Sequence, residues 1–266
     1  MTPTLLGVPF DAGSSFQRGA ALAPPAIRKA LRLESSNTWT EDGTDVFAPG
    51  VIGDAGDLGF PPDADWTQIV ERGVTDVLAR GGAPLVLGGD HAITYPVVRA
   101  MAMQHPGLSI LHFDAHGDLY DSFEGNQLSH ACPFARIMEN GLAKRLVQVG
   151  IRTLNDHQRS QISRFGVEVH EMRYWVEPFA VAFEGPVYLS LDLDALDPAY
   201  AAGISHPEPG GLSVRDIVTM IQRFNGRLVG ADVVEYNPLN DDSPRTGLVA
   251  AKFVKEIIAA FRRTNR

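Results

Sequence analysis

Among its 266 residues the chain has a single cysteine, Cys132. An internal disulfide is therefore excluded, and so is a zinc site built from several thiolates. Any metal must be held by histidine and carboxylates. Long apolar runs are also missing, and no stretch approaches the roughly 20 consecutive apolar residues of a membrane-spanning helix. Positive charge is scarce: 23 Lys and Arg stand against 32 Asp and Glu, a formal net charge of -9. That balance argues against a nucleic-acid partner, whose affinity comes largely from clustered cations displacing counterions. A small cationic ligand suits the sign better. The opening MTPTLLGVPF has neither the basic start nor the sustained apolar stretch of a secretory signal. A cytoplasmic protein with no membrane partner is the expectation.

What the sequence does contain is a regular alternation. Short apolar runs at 4–8, 85–89, 108–113, 145–151, 187–193 and 228–234 read as buried strands. Between them, 66–80, 93–104, 131–143, 155–165, 213–224 and 246–263 have helical spacing, and Asp65 is placed to cap the first. This βα alternation predicts an α/β fold, a three-layer α/β/α arrangement around a mostly parallel central sheet. No repeat or linker divides the chain, so residues 1–266 read as one domain. Gly/Pro-rich stretches at 50–62 and 198–211 read as loops. The second follows an acidic strand end, where open α/β sheets place their ligands.

Two strand ends concentrate ligand-type side chains. LSILHF runs into DAHGDLYD, so Asp114, His116 and Asp118 alternate as the chain leaves the sheet and point the same way. Asp with His is the donor set expected for Mn, Fe, Co, Ni or Zn. Alone, the pattern is equally a polar turn with an aspartate cap. A second strand, VYLSLDL, continues into DLDALDP and brings Asp192 and Asp194 to a matching depth. Apolar strands ending in so many carboxylates need counter-charge, because buried ionised carboxylates require pairing or a metal. Asp197, before Pro198, reads as an ordinary turn residue. A third segment, LVLGGDHAITYP, leaves its strand through Gly88 and Gly89, read as a tight turn, and reaches Asp90 and His91. It lacks the spacing and terminal Lys of a phosphate loop. His91 alone is as readily a helix-start residue.

Taken in order, GGDH, DAHGDLYD and SLDLDALDP resemble the ureohydrolase family of arginase and agmatinase, whose signatures are GGDH, DAHxDxxD and SxDxDxxDP. The likeness extends to GVPFDAG at 7–13, EGNQLSHACPFARIME at 124–139 and SHPEPGGLS at 205–213, so it spans essentially the whole chain. With RFGVEVHEMR at 164–173, these stretches look most like the plant-type arginase branch.

The resemblance implies hydrolysis of a guanidino compound to urea and an amine, with two Mn2+ per subunit. It implies that His91, Asp114, Asp118 and Asp192 surround one ion and that Asp114, His116, Asp192 and Asp194 surround the other. His130 would be the acid or proton shuttle, and Glu235 the carboxylate that pairs with the guanidinium. Each also has a plain reading, His130 as a helix-start residue and Glu235 as a strand-end acid. A small cationic guanidino substrate and a homo-oligomer, trimer or hexamer, are further implications. Guanidinobutyrate and formiminoglutamate are the alternative substrates, and a non-catalytic metal-binding protein of the same fold is the alternative class. Gly117 and Ala202 depart from residues common in the family, next to loops that would read the substrate tail. Asn126, Arg152, Asn155 and His206 read either as tail contacts or as structural residues.

Overall fold

The computed structural model describes residues 1–265. Eight strands, β1 (Thr2–Gly7), β2 (Gly53–Asp57), β3 (Gly82–Leu87), β4 (Ser109–Phe113), β5 (Arg145–Ile151), β6 (Glu168–Glu171), β7 (Ala182–Asp192) and β8 (Asn225–Val234), form one sheet. Their order is β2-β1-β3-β8-β7-β4-β5-β6, and every pairing is parallel. Seven α-helices connect them: α1 (Ala23–Leu31), α2 (Trp66–Ala79), α3 (Thr94–Gln104), α4 (Pro133–Glu139), α5 (Asp156–Phe165), α6 (Val214–Arg223) and α7 (Arg245–Thr264). The result is the three-layer α/β/α fold expected from the alternation.

Both faces of the sheet are covered, as an all-parallel sheet requires. Successive strand residues alternate between two apolar cores. Leu5, Leu85, Leu111 and Leu189 pack with α1, α6 and α7, whereas Leu6, Val86, Ile110 and Tyr188 pack with α2, α3 and α4. Asp65 caps α2 as expected, accepting from the Thr67 amide at 2.9 Å. Helix α4 is shorter than its apolar pattern: Pro133 opens it, and it stops before Gly141, whose φ of 61° leaves the helical region. No helix among the described residues is long and apolar enough to cross a membrane.

Strands β2 and β6 and helix α1 lie outside the segments read from the sequence. β2 and β6 are the two edge strands, β2 (GDAGD) falling inside the stretch read as a loop and β6 (EVHE) within the family-like RFGVEVHEMR. Edge strands are solvated and carry no apolar run to detect. Gly88 and Gly89 also differ from their expected role. Neither has a positive φ. Instead a Cβ on Gly89 would lie 1.7 Å from the Phe10 carbonyl oxygen, and one on Gly88 would lie 2.5 Å from Val234. The glycines let two chain segments touch rather than make a sharp turn.

Candidate metal and guanidinium site

The neighbouring strands β3, β8, β7 and β4 form the middle of the sheet, and all four send polar residues off their carboxyl ends. In β4 and β7, Phe113 pairs with Leu191, so Asp114 and Asp192 leave the sheet side by side. The Asp192 side chain caps the 3₁₀ turn Leu193–Ala195, accepting from the Asp194 amide at 2.7 Å. Asp194 in turn accepts from the Ala115 amide at 3.0 Å, which ties the two strand ends together. Arg152 braces this turn from beneath with hydrogen bonds to the carbonyls of Asp194 at 2.7 Å and Leu196 at 3.1 Å.

These elements bring two groups of donors together. Around His91, the Nδ1 atom lies 3.1 Å from Asp114 Oδ2, 3.2 Å from Asp118 Oδ2 and 3.0 Å from Asp192 Oδ2. Around His116, the Nδ1 atom lies 3.0 Å from Asp194 Oδ2 and 3.4 Å from Asp114 Oδ1. Asp114 therefore gives one oxygen to each group. Asp192 stands with the first group, and its other oxygen faces the Asp194 amide. All but His116 are buried.

The protonation of His91 tests whether a cation fits. Asp232 Oδ1 can only accept, so the Ser190 hydroxyl 2.7 Å away donates to it. Ser190 then accepts from His91 Nε2 at 3.0 Å. With its proton on Nε2, His91 turns a lone pair at Nδ1 toward three carboxylate oxygens, and Nδ1 has no hydrogen-bond partner. A proton added there would offset one charge of four aspartates. A divalent cation offsets two and is what an Asp/His donor set accepts.

Two carboxylates of the group, Asp192 and Asp194, record the same deficit. Burial, with the neighbouring carboxylates of Asp194 and Asp114, pushes Asp192 far above the ordinary carboxylate range. Asp194 is pushed up to about 6, again by burial first, with Asp114 adding repulsion. The donors fit divalent metal.

One wall of a cavity of about 240 Å³ beside these donors holds His130, Glu235 and His206. Asp118 and Glu235 have φ of 48° and 65°, a conformation that non-glycine residues avoid and that concentrates at functional sites. The Glu235 amide donates to the Gly89 carbonyl at 2.9 Å. Its Oε1 accepts from the His91 amide at 2.8 Å, while Oε2 is buried without a partner. His130 Nδ1 is 3.6 Å from Glu235 Oε1, its Nε2 is 2.9 Å from the Ser15 hydroxyl, and its ring stacks on His206 at 4.8 Å. Burial opposes the imidazolium of His130, but the Glu235 carboxylate outweighs it and raises His130 to about 9.

The structure thus brings together all eight residues singled out from the sequence. Of the residues considered for the tail, His206 lines the cavity. Asn155 caps α5, with its amide nitrogen 2.6 Å from the Tyr120 hydroxyl. Arg152 donates only to backbone carbonyls, and Asn126 Oδ1 accepts from the Leu128 amide. Sequence reasoning missed the row behind the His/Asp cluster: Gln148, His112, Ser190 and Asp232 are in-register neighbours across β5, β4, β7 and β8. Each is a polar residue inside an otherwise apolar run, which is the signal that could have found them.

The Arginase family model matches residues 2–260. Arginase 2, chloroplastic/mitochondrial, of Arabidopsis thaliana is 48% identical over 97% of this chain and 80% of its own length. The mitochondrial guanidino acid hydrolase of Homo sapiens is 36% identical over 96% of this chain and 77% of its own length. Among solved structures, the arginase from Medicago truncatula superposes with a TM-score of 0.93 at 47% identity, covering 98% of this chain and 87% of that one.

Proposed function

Because the chain belongs to the arginase family, we propose that it is a manganese ureohydrolase that cleaves arginine to urea and ornithine at the His/Asp cluster. The observation that carries this reading is the convergence of His91, Asp114, Asp118, Asp192, His116 and Asp194 beside a cavity walled by His130 and Glu235. His91, Asp114, Asp118 and Asp192 would hold one Mn2+, and Asp114, His116, Asp192 and Asp194 the other. Bound there, the two ions would supply Lewis acidity that makes hydroxide available from water near neutral pH.

The remaining steps belong to the protein. The substrate guanidinium offers planar N–H pairs, and the unpartnered Oε2 of Glu235 is a buried acceptor free to take one of them. That contact orients the guanidinium carbon toward the cluster. When hydroxide has added to this carbon, the bond to the substituted nitrogen breaks and that nitrogen needs a proton. His130, raised to about 9 by Glu235, holds one at neutral pH on the wall of the same cavity. The products are urea and the free amine.

Arginine is favoured by the higher identity to plant arginases than to the guanidino acid hydrolase. One observation favours agmatine as a second reading. Apart from the His130 imidazolium, the charged residues lining the cavity are carboxylates, Glu208 among them, and no Lys or Arg lines it. A tail that is itself cationic meets mostly carboxylates there. Urea release from arginine, agmatine, guanidinobutyrate and formiminoglutamate, each with Mn2+, separates these readings. Arginine turned over fastest supports the first, agmatine the second, and no hydrolysis of any of the four rejects both. A homo-oligomer in a reducing compartment such as the cytoplasm completes the proposal. The lone free thiol of Cys132 is compatible with that compartment.

A further inference from the structure

His112 lies at the centre of the buried row described above and touches the metal donors without having been assigned to them. By position alone it could be a ligand, because His91, His112 and Asp114 bring three donor atoms together within 4.8 Å. Its hydrogen bonds decide otherwise. The Gly117 carbonyl can only accept, and the Gln148 side-chain nitrogen lies 2.7 Å from it. Reversing the Gln148 amide would set two carbonyl oxygens against each other at that distance. The amide orientation is therefore fixed, and the same nitrogen donates at 3.0 Å to His112 Nδ1. An Nδ1 that accepts leaves the ring proton on Nε2, 2.8 Å from Asp114 Oδ2.

We propose that His112 is a positioning residue: its Nε2–H, set by Gln148 and the Gly117 carbonyl, donates to Asp114 and holds that carboxylate between the two donor groups. This rests on the metal reading given above. Packing supports it, since the His112 ring lies against Phe134 with ring centres 3.9 Å apart, and Phe134 also meets the His91 ring edge-on at 5.3 Å. The ring is fully buried in this packing. The arrangement is the mirror of that at His91, where Asp232 through Ser190 puts the proton on the nitrogen facing away from the cluster. One row of strand residues thus gives His91 a lone pair toward the cluster and His112 a proton toward it. Partners of this kind, which orient ligands without binding metal, change affinity about 10- to 100-fold when lost.

The test uses protein labelled with 15N at histidine, with long-range 1H–15N spectra recorded metal-free and with Zn2+ as a diamagnetic probe. Mn2+ affinity is measured alongside by calorimetry for the wild type, His112→Phe and His112→Gln. The expected result is a His112 Nε2 that stays protonated with and without Zn2+, about 10- to 100-fold weaker Mn2+ binding by His112→Phe, and recovery of most of that loss by His112→Gln, whose amide N–H reaches toward Asp114. Loss of the Nε2 proton on adding Zn2+ would make His112 a ligand and overturn the proposal, and the spectra decide this even if the variants fail to fold. Tight binding by wild type and His112→Phe alike would overturn the role of His112 alone. No Mn2+ uptake by the wild type would overturn the metal reading beneath it.

Discussion

The Nδ1 atom of His91 and the Oδ2 atom of Asp192 lie 3.0 Å apart, at the ends of two strands that are not themselves adjacent. Between β3 and β7 runs β8, which contributes Asp232 to the row below and Glu235 to the wall above. The site is therefore a property of the sheet order, and no continuous segment contains it.

Without metal, the buried Asp194 carboxylate opposes folding. Asp194 is raised from its ordinary 3.8 to about 6, so its charged form is disfavoured in the folded state. The sign follows: stability is lost as pH rises from about 4 to about 6, and the loss persists above that. Asp194→Asn keeps the acceptor for the Ala115 amide and removes the charge. The metal-free variant is expected to melt about 2–4 °C above the metal-free wild type at pH 7 for each kcal/mol recovered, and to lose the gain that Mn2+ gives the wild type. Calorimetry of both proteins with and without Mn2+ checks this, and a metal-free variant melting below the wild type would contradict it.

His130 titrates in the opposite sense. Its pKa is raised to about 9 through Glu235, so the pair stabilises the fold fully below the unfolded histidine value and loses that contribution as pH passes 9. In Glu235→Gln the His130 pKa is expected to fall toward the ordinary histidine range, which NMR titration of the ring protons reads directly. An unchanged pKa would show that the two side chains do not interact.

The proton-donor role proposed for His130 makes a kinetic prediction. His130→Asn is expected to lower kcat by about 10²- to 10⁴-fold with a much smaller change in KM. Steady-state kinetics on the preferred substrate test it, and a variant that changes KM alone would move His130 from proton transfer to binding.

Gly89 is held to glycine by contact rather than by φ. The Phe10 carbonyl oxygen would sit 1.7 Å from a new Cβ, and that segment also accepts the Asp90 amide at 2.9 Å. Gly89→Ala is expected to cost at least about 2 kcal/mol and to shift His91 and Glu235, which meet at this point. Urea denaturation measures the first effect and Mn2+ affinity the second.

The sequence made the centre of this molecule legible and its margins obscure. Strands β3, β4, β7 and β8 are buried on both faces, so their apolar runs stand out, and the acidic residues after Phe113 and Leu191 stand out against them. The edge strands GDAGD and EVHE have no such contrast. Helix α1 packs a short stripe, Ala23, Pro24, Ile27, Ala30 and Leu31, and carries two prolines in its first turn. His112, Ser190 and Asp232 were hidden for a different reason. Inside a strand a single polar residue reads as noise until register shows that three strands place theirs in one row.

The most direct test of the proposed metal-dependent hydrolysis is a titration of metal-free protein with Mn2+, following bound metal and urea release together. Activity that rises until two Mn2+ are bound per chain, and that is abolished in Asp114→Asn with its bound metal, is the expected result. Full urea release before any metal binds, or full activity and metal content in Asp114→Asn, would contradict it.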